Sequence, residues 1–445
     1  MRKAQACMLL AALAAFLCAP DGSARAADQV LTLEQVVKIA LGRNPTLEAS
    51  SEAVNQAASR LTQTKSRWWP QVTGSVDYSR NYSESQRQAA LEGGTGNHYD
   101  IYSTGLALSQ KIYDFGQTGG LVEQSRQQLA SSRSDHTTNV SSVVQQVKNA
   151  FYLVLKNQGL MEVARQTLDS QLKHLEQAQA FYKGGLRPKI DVTRAEVDVA
   201  NARLSLINAD YAERDSRVAL ERILGGPPVA GPYKLAPEKQ QPARPPNLTP
   251  LVIQAQQQRP EVASLQALIK AAEGRLEAAQ GNFWPSLDAS GSYAYQNTEF
   301  PLDNSWTAGV GLTWALFSGF LTEGQVNEAR ALIRQQKARL KDLELQIAQE
   351  VNSAFLALNQ ADERIATSRT ALANAEENMR LAEGRYRTGV GNAIEYTDAQ
   401  VALTAAQNNL VQATYDYFQA WANLERAMGR VQPYTSMAKQ TAPAR

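Results

Sequence analysis

Two closely spaced carboxylates in the second half of the chain, Glu395 and Asp398, are the residues best suited to act on a charged solute. Three residues apart on a helix, they share one face, where like charges repel by roughly 0.2–0.5 kcal/mol. No basic residue stands at the next helical spacings, whereas the corresponding first-half pair, Asp191 and Arg194, is charge-compensated. A ring of such carboxylates around a narrow opening would select for cations. The alternative is an ordinary solvated helix face.

Residues typical of enzymes are sparse. The three histidines, His98, His136 and His174, are far apart in sequence, and there is no glycine-rich phosphate loop with a lysine and no serine nucleophile elbow. Both cysteines, Cys7 and Cys18, lie near the N-terminus. We therefore expect no enzyme activity, no metal site and no cofactor.

The N-terminus predicts export from the cytoplasm. Arg2 and Lys3 precede an apolar run over residues 8–17, and residues 24–26 offer a cleavage site of small residues, so residues 1–26 are predicted to be a signal peptide. Leu17 is not the small residue that precedes a lipid-attachment cysteine, so we do not expect lipidation at Cys18. Beyond residue 26 no run of 18 apolar residues occurs. The 45 basic and 43 acidic residues are interspersed, which argues against a nucleic-acid partner.

The rest of the chain is an internal repeat. The first-half residues that recur 204 positions later are Phe151, Tyr182, Gly185, Ile190 and Gly225. This period is far longer than the roughly 20–50 residues of solenoids, so each unit should be a whole substructure. The predicted organisation is a first repeat at 27–225, a proline-rich linker at 226–250, a second repeat at 251–429 and a C-terminal tail at 430–445.

Each repeat contains a predicted β-hairpin, at about 71–113 and about 286–316. Both follow a helix that ends at a tryptophan-proline pair, and both alternate apolar with small polar residues. A soluble sheet with one wet face would alternate similarly. Strands of about ten residues with aromatics near both ends of the apolar face favour a transmembrane barrel, and four strands must then share it with other subunits. The predicted membrane-interface aromatics are Trp68, Trp69, Trp284, Trp306 and Trp314.

Proline-free helical segments follow each hairpin, from about 119 to 182 and from about 324 to 386. At about 1.5 Å per residue each forms a rod of roughly 95 Å, which needs partner helices along its length. Each rod ends at a glycine turn that carries one apolar residue, Leu186 or Val390, at an otherwise polar tip. These residues suggest a docking surface for another protein. A periplasmic coiled coil without a pore is the alternative for the rods alone.

The twofold order of helices, tryptophan-proline stop, strands, long helix, glycine turn and return helix resembles the TolC family of outer-membrane channel proteins. The resemblance covers the predicted mature chain and implies a mixed α and β fold. It implies a homotrimer in which each protomer gives four strands to a 12-stranded transmembrane β-barrel and long helices to a periplasmic α-barrel. It also implies a tip that meets a periplasmic membrane-fusion adaptor and an inner-membrane transporter.

The resemblance also implies roles for single residues. Glu395 and Asp398 match an acidic pore constriction, and Asp191 and Tyr386 match residues that hold the tip closed. The matching adaptor-docking turns consist of Gly184, Gly185, Leu186, Gly389, Val390 and Gly391. The chain departs from the family at Gly391, where the best-known member has an arginine in the closing network. Arg387 or Arg187 could supply the missing cation.

We therefore expect an exit channel in the outer membrane of a Gram-negative-type cell, in contact with outer-membrane lipids. It would serve a tripartite efflux pump or a type I secretion system, with a transporter of the RND, ABC or MFS class. The alternatives are a passive outer-membrane porin and a non-channel periplasmic coiled-coil scaffold. A porin would need more strands per chain and no long helices, whereas a scaffold would not need the alternating strands.

Overall fold

The computed structural model describes residues 29–82, 98–229, 231–238 and 240–430. The predicted signal peptide lies outside the described residues, as does the predicted tail from residue 431 onwards. None of the helices in these ranges is both long enough and apolar enough to cross a membrane.

The described chain is mostly helical. Its helices are α1 (Leu33–Arg43), α2 (Pro45–Lys65), α3 (Gln117–Lys183), α4 (Lys189–Leu224), α5 (Thr249–Gln258), α6 (Pro260–Gly281), α7 (Leu321–Arg387) and α8 (Ala393–Ala427). Its strands are β1 (Gln29–Leu31), β2 (Gln71–Tyr82), β3 (His98–Tyr113), β4 (Tyr233–Leu235), β5 (Ser286–Asn297) and β6 (Asp303–Thr313).

Local sequence signals account for several of these boundaries. Thr32 caps α1 in a capping box, in which the Gln35 N–H donates to the Thr32 hydroxyl and the Gln35 side chain accepts from the Thr32 N–H. Asn44 ends α1 and caps α2, whose first residue is Pro45. Proline at this position needs no hydrogen-bond partner for its nitrogen, which explains why the chain turns directly from one helix into the next.

The two hairpins form one antiparallel sheet in the order β2-β3-β5-β6. The repeats meet where β3 pairs with β5, for example at Leu106 opposite Tyr293. The register places most of the apolar residues of the four strands on one face, where Val72 lies opposite Leu108 and Leu287 lies opposite Leu312. Most large side chains on this face are exposed, which shows that no other part of the described chain covers it.

Both long helices contain 67 residues and run through two layers of helices. Next to the sheet, neighbouring helices follow the order α2-α3-α6-α7, and farther from the sheet the order is α4-α3-α8-α7. At about 1.5 Å per residue each rod is roughly 100 Å long. The predicted long rods are therefore confirmed, with α3 and α7 each slightly longer than expected.

Two apolar cores surround the rods near the middle of their length. One surrounds Phe151 of α3 and includes α1 and the end of α4, and the other surrounds Leu358 of α7 and includes α5 and α8. The proline-rich segment contacts both cores, since Tyr152 donates to Glu238 at 2.9 Å and Tyr417 donates to the Pro242 carbonyl at 2.6 Å. This segment also supplies β4, which pairs with β1 in parallel.

Candidate functional site

The two glycine turns lie together at the end of the rods that is remote from the sheet. Gly185 (φ 69°) and Gly389 (φ 81°) adopt the left-handed backbone that ends a helix, which a side chain would strain. The apolar residues that follow them point into solvent, with Leu186 73% and Val390 74% exposed. Gly184, the first residue of the predicted docking turns, ends α3 by donating its N–H to the Ala180 carbonyl.

A direct contact joins the first turn to the second. The Arg187 guanidinium donates to the Gly391 carbonyl at 2.5 Å and lies 5.2 Å from the centre of the Tyr386 ring. Arg187, rather than Arg387, therefore occupies the position of a cation between the turns. Gly391 itself is tightly enclosed, because a Cβ there would lie 2.9 Å from the Cβ of Arg385. No larger residue fits position 391 without moving the turn.

The two predicted tip-closing residues, Tyr386 and Asp191, lie within electrostatic range of each other but are not hydrogen-bonded. Tyr386 is 1% exposed, and its hydroxyl has no hydrogen-bond partner among the described residues. Burial raises the pKa of Tyr386, and the nearby Asp191 carboxylate raises it further, whereas Arg187 opposes the change. The phenol is therefore neutral, and its ring rather than its hydroxyl makes the contacts.

The acidic pair is less uniform than the sequence indicated. Glu395 forms an ion pair with Arg385 at 3.3 Å, and the backbone N–H of Glu395 donates to the Asn392 side chain at 2.8 Å. Asp398 is exposed and has no ion-pair partner in the described part of the chain. No base stands at the neighbouring positions of the helix, and Arg385 reaches Glu395 from the other side of the turn. One carboxylate is compensated and the other is free.

A buried histidine that sequence reasoning did not assign to the site lies behind Tyr386. The His174 ring of α3 stacks on Tyr396 of α8, with centroids 3.9 Å apart and planes 10° apart, and lies 4.9 Å from the Tyr386 ring. Burial lowers the pKa of His174, although Asp198 and Asp191 oppose the change. No spacing rule could identify this cluster, because its three rings come from three different helices.

The predicted interface aromatics lie at the two ends of the sheet. Trp68, Trp69, Trp284 and Trp314 lie at the helix-facing end, and Trp314 donates to the Phe283 carbonyl at 3.1 Å. Trp306 lies eight residues earlier on β6, which at about 3.3 Å per residue is roughly 26 Å away. That separation matches the apolar band of about 25 Å on transmembrane barrels.

Metal-ligating side chains do not cluster in the described part of the chain. Among residues 29–82, 98–229, 231–238 and 240–430, no group of three or more histidines, cysteines, aspartates or glutamates could hold a metal ion. Outside the four-stranded sheet, most of the groups with shifted pKa values are tyrosines and His174, and burial is the largest cause of their shifts.

A four-stranded sheet with an uncovered apolar face, long paired helices and a tip of exposed apolar turns are together typical of an outer-membrane channel protein. A family model described as outer membrane efflux protein matches residues 36–226 and 251–430, and the chain belongs to this family. The resemblance to the TolC family is thereby confirmed, and family membership assigns the chain to the outer membrane.

Individual relatives agree with this assignment. The chain is 24% identical over 413 residues to the probable efflux pump outer membrane protein TtgC of Pseudomonas putida, covering 89% of this chain and 82% of the relative. It is 24% identical over 439 residues to the outer membrane protein TolC of Escherichia coli, covering 93% and 85%. The outer membrane channel CmeC of Campylobacter jejuni has the same fold, with a TM-score of 0.80 at 17% identity over 89% of this chain and 85% of the other.

Proposed function

We propose that this chain is the outer-membrane exit channel of a tripartite efflux machine and that it works as a homotrimer. Three protomers each contribute four strands to one transmembrane β-barrel and their long helices to one periplasmic α-barrel. Substrates enter from an inner-membrane transporter that a membrane-fusion adaptor joins to the tip. The chain performs no catalysis, since the transporter supplies the energy.

The open ends of the three layers carry this proposal. The sheet ends at β2 and β6, the helical layer next to it ends at α2 and α7, and the layer near the tip ends at α4 and α7. In each layer the first-repeat member lies at one end and the second-repeat member at the other. A neighbouring copy can therefore meet all three layers at once, and repetition closes a ring. Closure also pairs the free edges of β2 and β6, which lipid does not tolerate unpaired.

The outward face of α4 supports the same arrangement. Apolar residues recur there at every seventh position and are exposed in the single chain, on the side away from α3. A seven-residue spacing is typical of the contact line, or seam, between two helices of a coiled coil. The proposed partner of α4 along this seam is α7 of a second copy. The residues of this seam are Ile190, Val197, Leu204, Tyr211 and Val218.

The tip residues take the corresponding roles. Glu395 and Asp398 line the constriction, and Asp191, Tyr386 and Arg187 hold the two turns together. Leu186 and Val390 contact the adaptor. Small and polar residues on the second face of the sheet select little, so the inner-membrane transporter, of the RND, ABC or MFS class, sets the cargo. The relatives named for efflux pumps support efflux rather than type I secretion as the process.

A test of the assembly introduces charge into the α4 seam. We expect the double variant Leu204→Glu, Tyr211→Glu to lose the trimer, because two carboxylates would be buried in an apolar contact. Ser205→Glu is the matched control, since Ser205 is exposed on the same helix but lies off the seam. Light scattering of the detergent-solubilised protein gives the oligomeric state, and planar-bilayer recordings give conduction.

Each failure of this test has a defined meaning. A monomer that conducts as well as the unmodified protein would favour the passive porin. A trimer that never conducts would favour the periplasmic scaffold. If the double variant remains trimeric, the α4 seam is not the contact between copies.

A further inference from the structure

His174 is the one described side chain at the tip that stacks on both helices of the opposite pair. It belongs to α3, which pairs with α4, and it contacts Tyr386 of α7 and Tyr396 of α8. The side chain is 3% exposed, and its Nδ1 has no hydrogen-bond partner among the described residues. The His174 imidazole therefore lies between the α3–α4 pair and the α7–α8 pair. Its contacts with α7 and α8 are made by ring packing.

We propose that His174 is a positioning residue that holds Tyr386 in the tip-closing cluster, and that protonation of its imidazole releases the α7–α8 pair from the α3–α4 pair. The proposal rests on the proposed function, because it takes separation of these pairs to be opening of the tip. It adds that the pH controls opening of the tip. Tyr386 itself does not supply this sensitivity, since a buried phenol stays neutral at physiological pH.

The surroundings of His174 favour the neutral ring. Burial deprives an imidazolium of hydration and lowers its pKa from the ordinary 6.5, although the carboxylates of Asp191 and Asp198 on α4 act in the opposite direction. A protonated His174 would be the second cation at this cluster, because Arg187 lies against the same Tyr386 ring. The remaining ionisable groups that face the cluster are Lys173 on α3, Glu383 and Tyr386 on α7, and Tyr396 on α8.

Lys173 and Glu383 contribute little to this balance. Lys173 is paired with Asp169 at 2.6 Å one turn away on its own exposed helix face. Glu383 acts on Tyr396, whose pKa is raised mainly by burial. The balance at His174 is therefore set by burial against the two aspartates of α4, and burial prevails.

A cavity gives the proton a route to His174. It has a volume of about 260 Å³, and polar side chains of α3, α7 and α8 line it, including Ser170, Glu383 and Gln400. His174 and Tyr396 lie on its wall. A space of this size and polarity holds several waters, so the imidazole exchanges protons without separation of the helices.

The direction of the pH effect follows from the lowered pKa. The packed conformation binds the His174 proton more weakly than the separated one, so it is fully favoured above the ordinary pKa of 6.5. As the pH falls below 6.5, protonation favours separation, and the effect stops growing below the lowered pKa. Each pH unit between the two pKa values changes the ratio of the conformations about tenfold.

The variant that isolates the proton is His174→Phe, which keeps a ring for stacking and cannot titrate. The matched control is His136→Phe, on the same helix but hydrogen-bonded to Ser50 at 2.7 Å and remote from the tip. We expect the single-channel open probability of the unmodified protein and of His136→Phe to rise as the pH falls from 7.5 to 5. We expect that of His174→Phe to stay constant.

A second readout does not depend on conduction. Both cysteines lie in the predicted signal peptide, so spin labels can be placed at Leu186→Cys and Val390→Cys, in assemblies containing a minority of labelled chains. The distance between the labels should lengthen at pH 5 in the unmodified background and not in His174→Phe. Lengthening without any conduction would refute the proposed function and leave the proton-sensitive contact standing.

Selective carbon-13 labelling of the three histidines completes the test, since NMR can then follow each imidazole through its titration. The signal lost in His174→Phe identifies His174 and should titrate below 6.5. A normal or raised pKa overturns the proposal. The same pH response in His174→Phe as in the unmodified protein, or no pH response in either, also overturns it.

Discussion

At the scale of single residues, the two carboxylates at the start of α8 differ in what surrounds them. Glu395 is paired with Arg385, and both side chains are about half exposed, so the pair stabilises the turn by at most about 1 kcal/mol. Its electrostatic effect on a passing ion is nevertheless reduced, because the two charges oppose each other. Asp398 carries an uncompensated charge in the described chain and should act more strongly on ions.

We therefore expect Asp398→Asn to lower the cation-to-anion permeability ratio more than Glu395→Gln does. One unit charge acting over about 4 Å in water contributes about 1 kcal/mol, or roughly fivefold, which sets the scale for Asp398. Reversal potentials across a salt gradient measure the ratio. Arg385→Gln is the reciprocal control and should raise cation preference by freeing Glu395. An equal or larger effect of Glu395→Gln would show that the Arg385 pair does not persist in the channel.

The link between Arg187 and Gly391 shows how this chain holds its turns together without an arginine at position 391. The sequence suggested that Arg187 or Arg387 could substitute, and the structure places Arg187 at the Gly391 carbonyl. A guanidinium can donate to that carbonyl and lie against the Tyr386 ring at the same time, which a lysine could not do equally well. A charge-assisted hydrogen bond of this kind contributes about 1.5–3 kcal/mol.

At the scale of helices, glycines fix how closely α3 and α6 approach next to the sheet. A Cβ at Gly120 would lie 2.5 Å from both the Ala278 nitrogen and the Gly274 carbonyl oxygen. The neighbouring Gly119 faces open space, with nothing within 4 Å. Two adjacent glycines of one helix therefore have opposite structural roles.

Gly120→Ala should consequently destabilise the protein, because the two backbones must move apart. Overpacking of this kind costs about 1–3 kcal/mol, more than the roughly 1 kcal/mol that alanine contributes to helix propensity. Gly119→Ala is the matched control and should leave the thermal unfolding midpoint unchanged or raise it slightly. Far-UV circular dichroism follows unfolding of both variants. Equal midpoints for the two would mean that α3 and α6 are not in close contact.

The sequence predicts the local structure of these helices well and their mutual contacts poorly. The capping box at Thr32, the helix stops before the tryptophan-proline pairs and the two rods follow from rules that act within a few residues. Tyr182 and Tyr386 are equivalent in the repeat, yet Tyr182 is 46% exposed whereas Tyr386 is buried. Tyr386 is buried because its ring packs against His174 of α3 and Tyr396 of α8, and rules that act within one helix do not show such contacts.

The candidate site shows the same limit. Its glycine turns and its acidic pair were visible as local patterns, and both turns have the predicted left-handed glycines. The Arg385 partner of Glu395 lies ten residues away across a turn, beyond the spacing rules of a single helix. His174 and Tyr396 meet only because α3 packs against α8, and this contact depends on the order of the helices in the layer.

At the scale of the whole molecule, the duplication gives the chain the two open ends that the proposed ring requires. Each repeat supplies one hairpin, one rod and one return helix, and the two repeats lie side by side in every layer. Each layer has four elements in a row, and the first and last of them lie at opposite ends of the layer. In the proposed ring, the turns of every protomer would lie at the same height, so the apolar tip residues would form a repeated surface.

That surface is the proposed contact with the adaptor, and it can be changed without disturbing the fold. Leu186 and Val390 are almost uncovered in the chain, so replacing both with aspartate should alter the stability by no more than about 0.5 kcal/mol each. An aspartate buried in an apolar contact, in contrast, costs about 3 kcal/mol, which corresponds to a roughly hundredfold loss of affinity.

We therefore expect Leu186→Asp, Val390→Asp to abolish export while trimer levels and single-channel conductance stay normal. Asn201→Asp adds the same kind of charge to an exposed position of α4 away from the turns and should export normally. Accumulation of an effluxed dye in cells measures export, and membrane immunoblots measure the trimer. Full export by the double variant would move the docking surface from the turns to the sides of the rods, where the α7 face and the grooves between protomers are the remaining candidates.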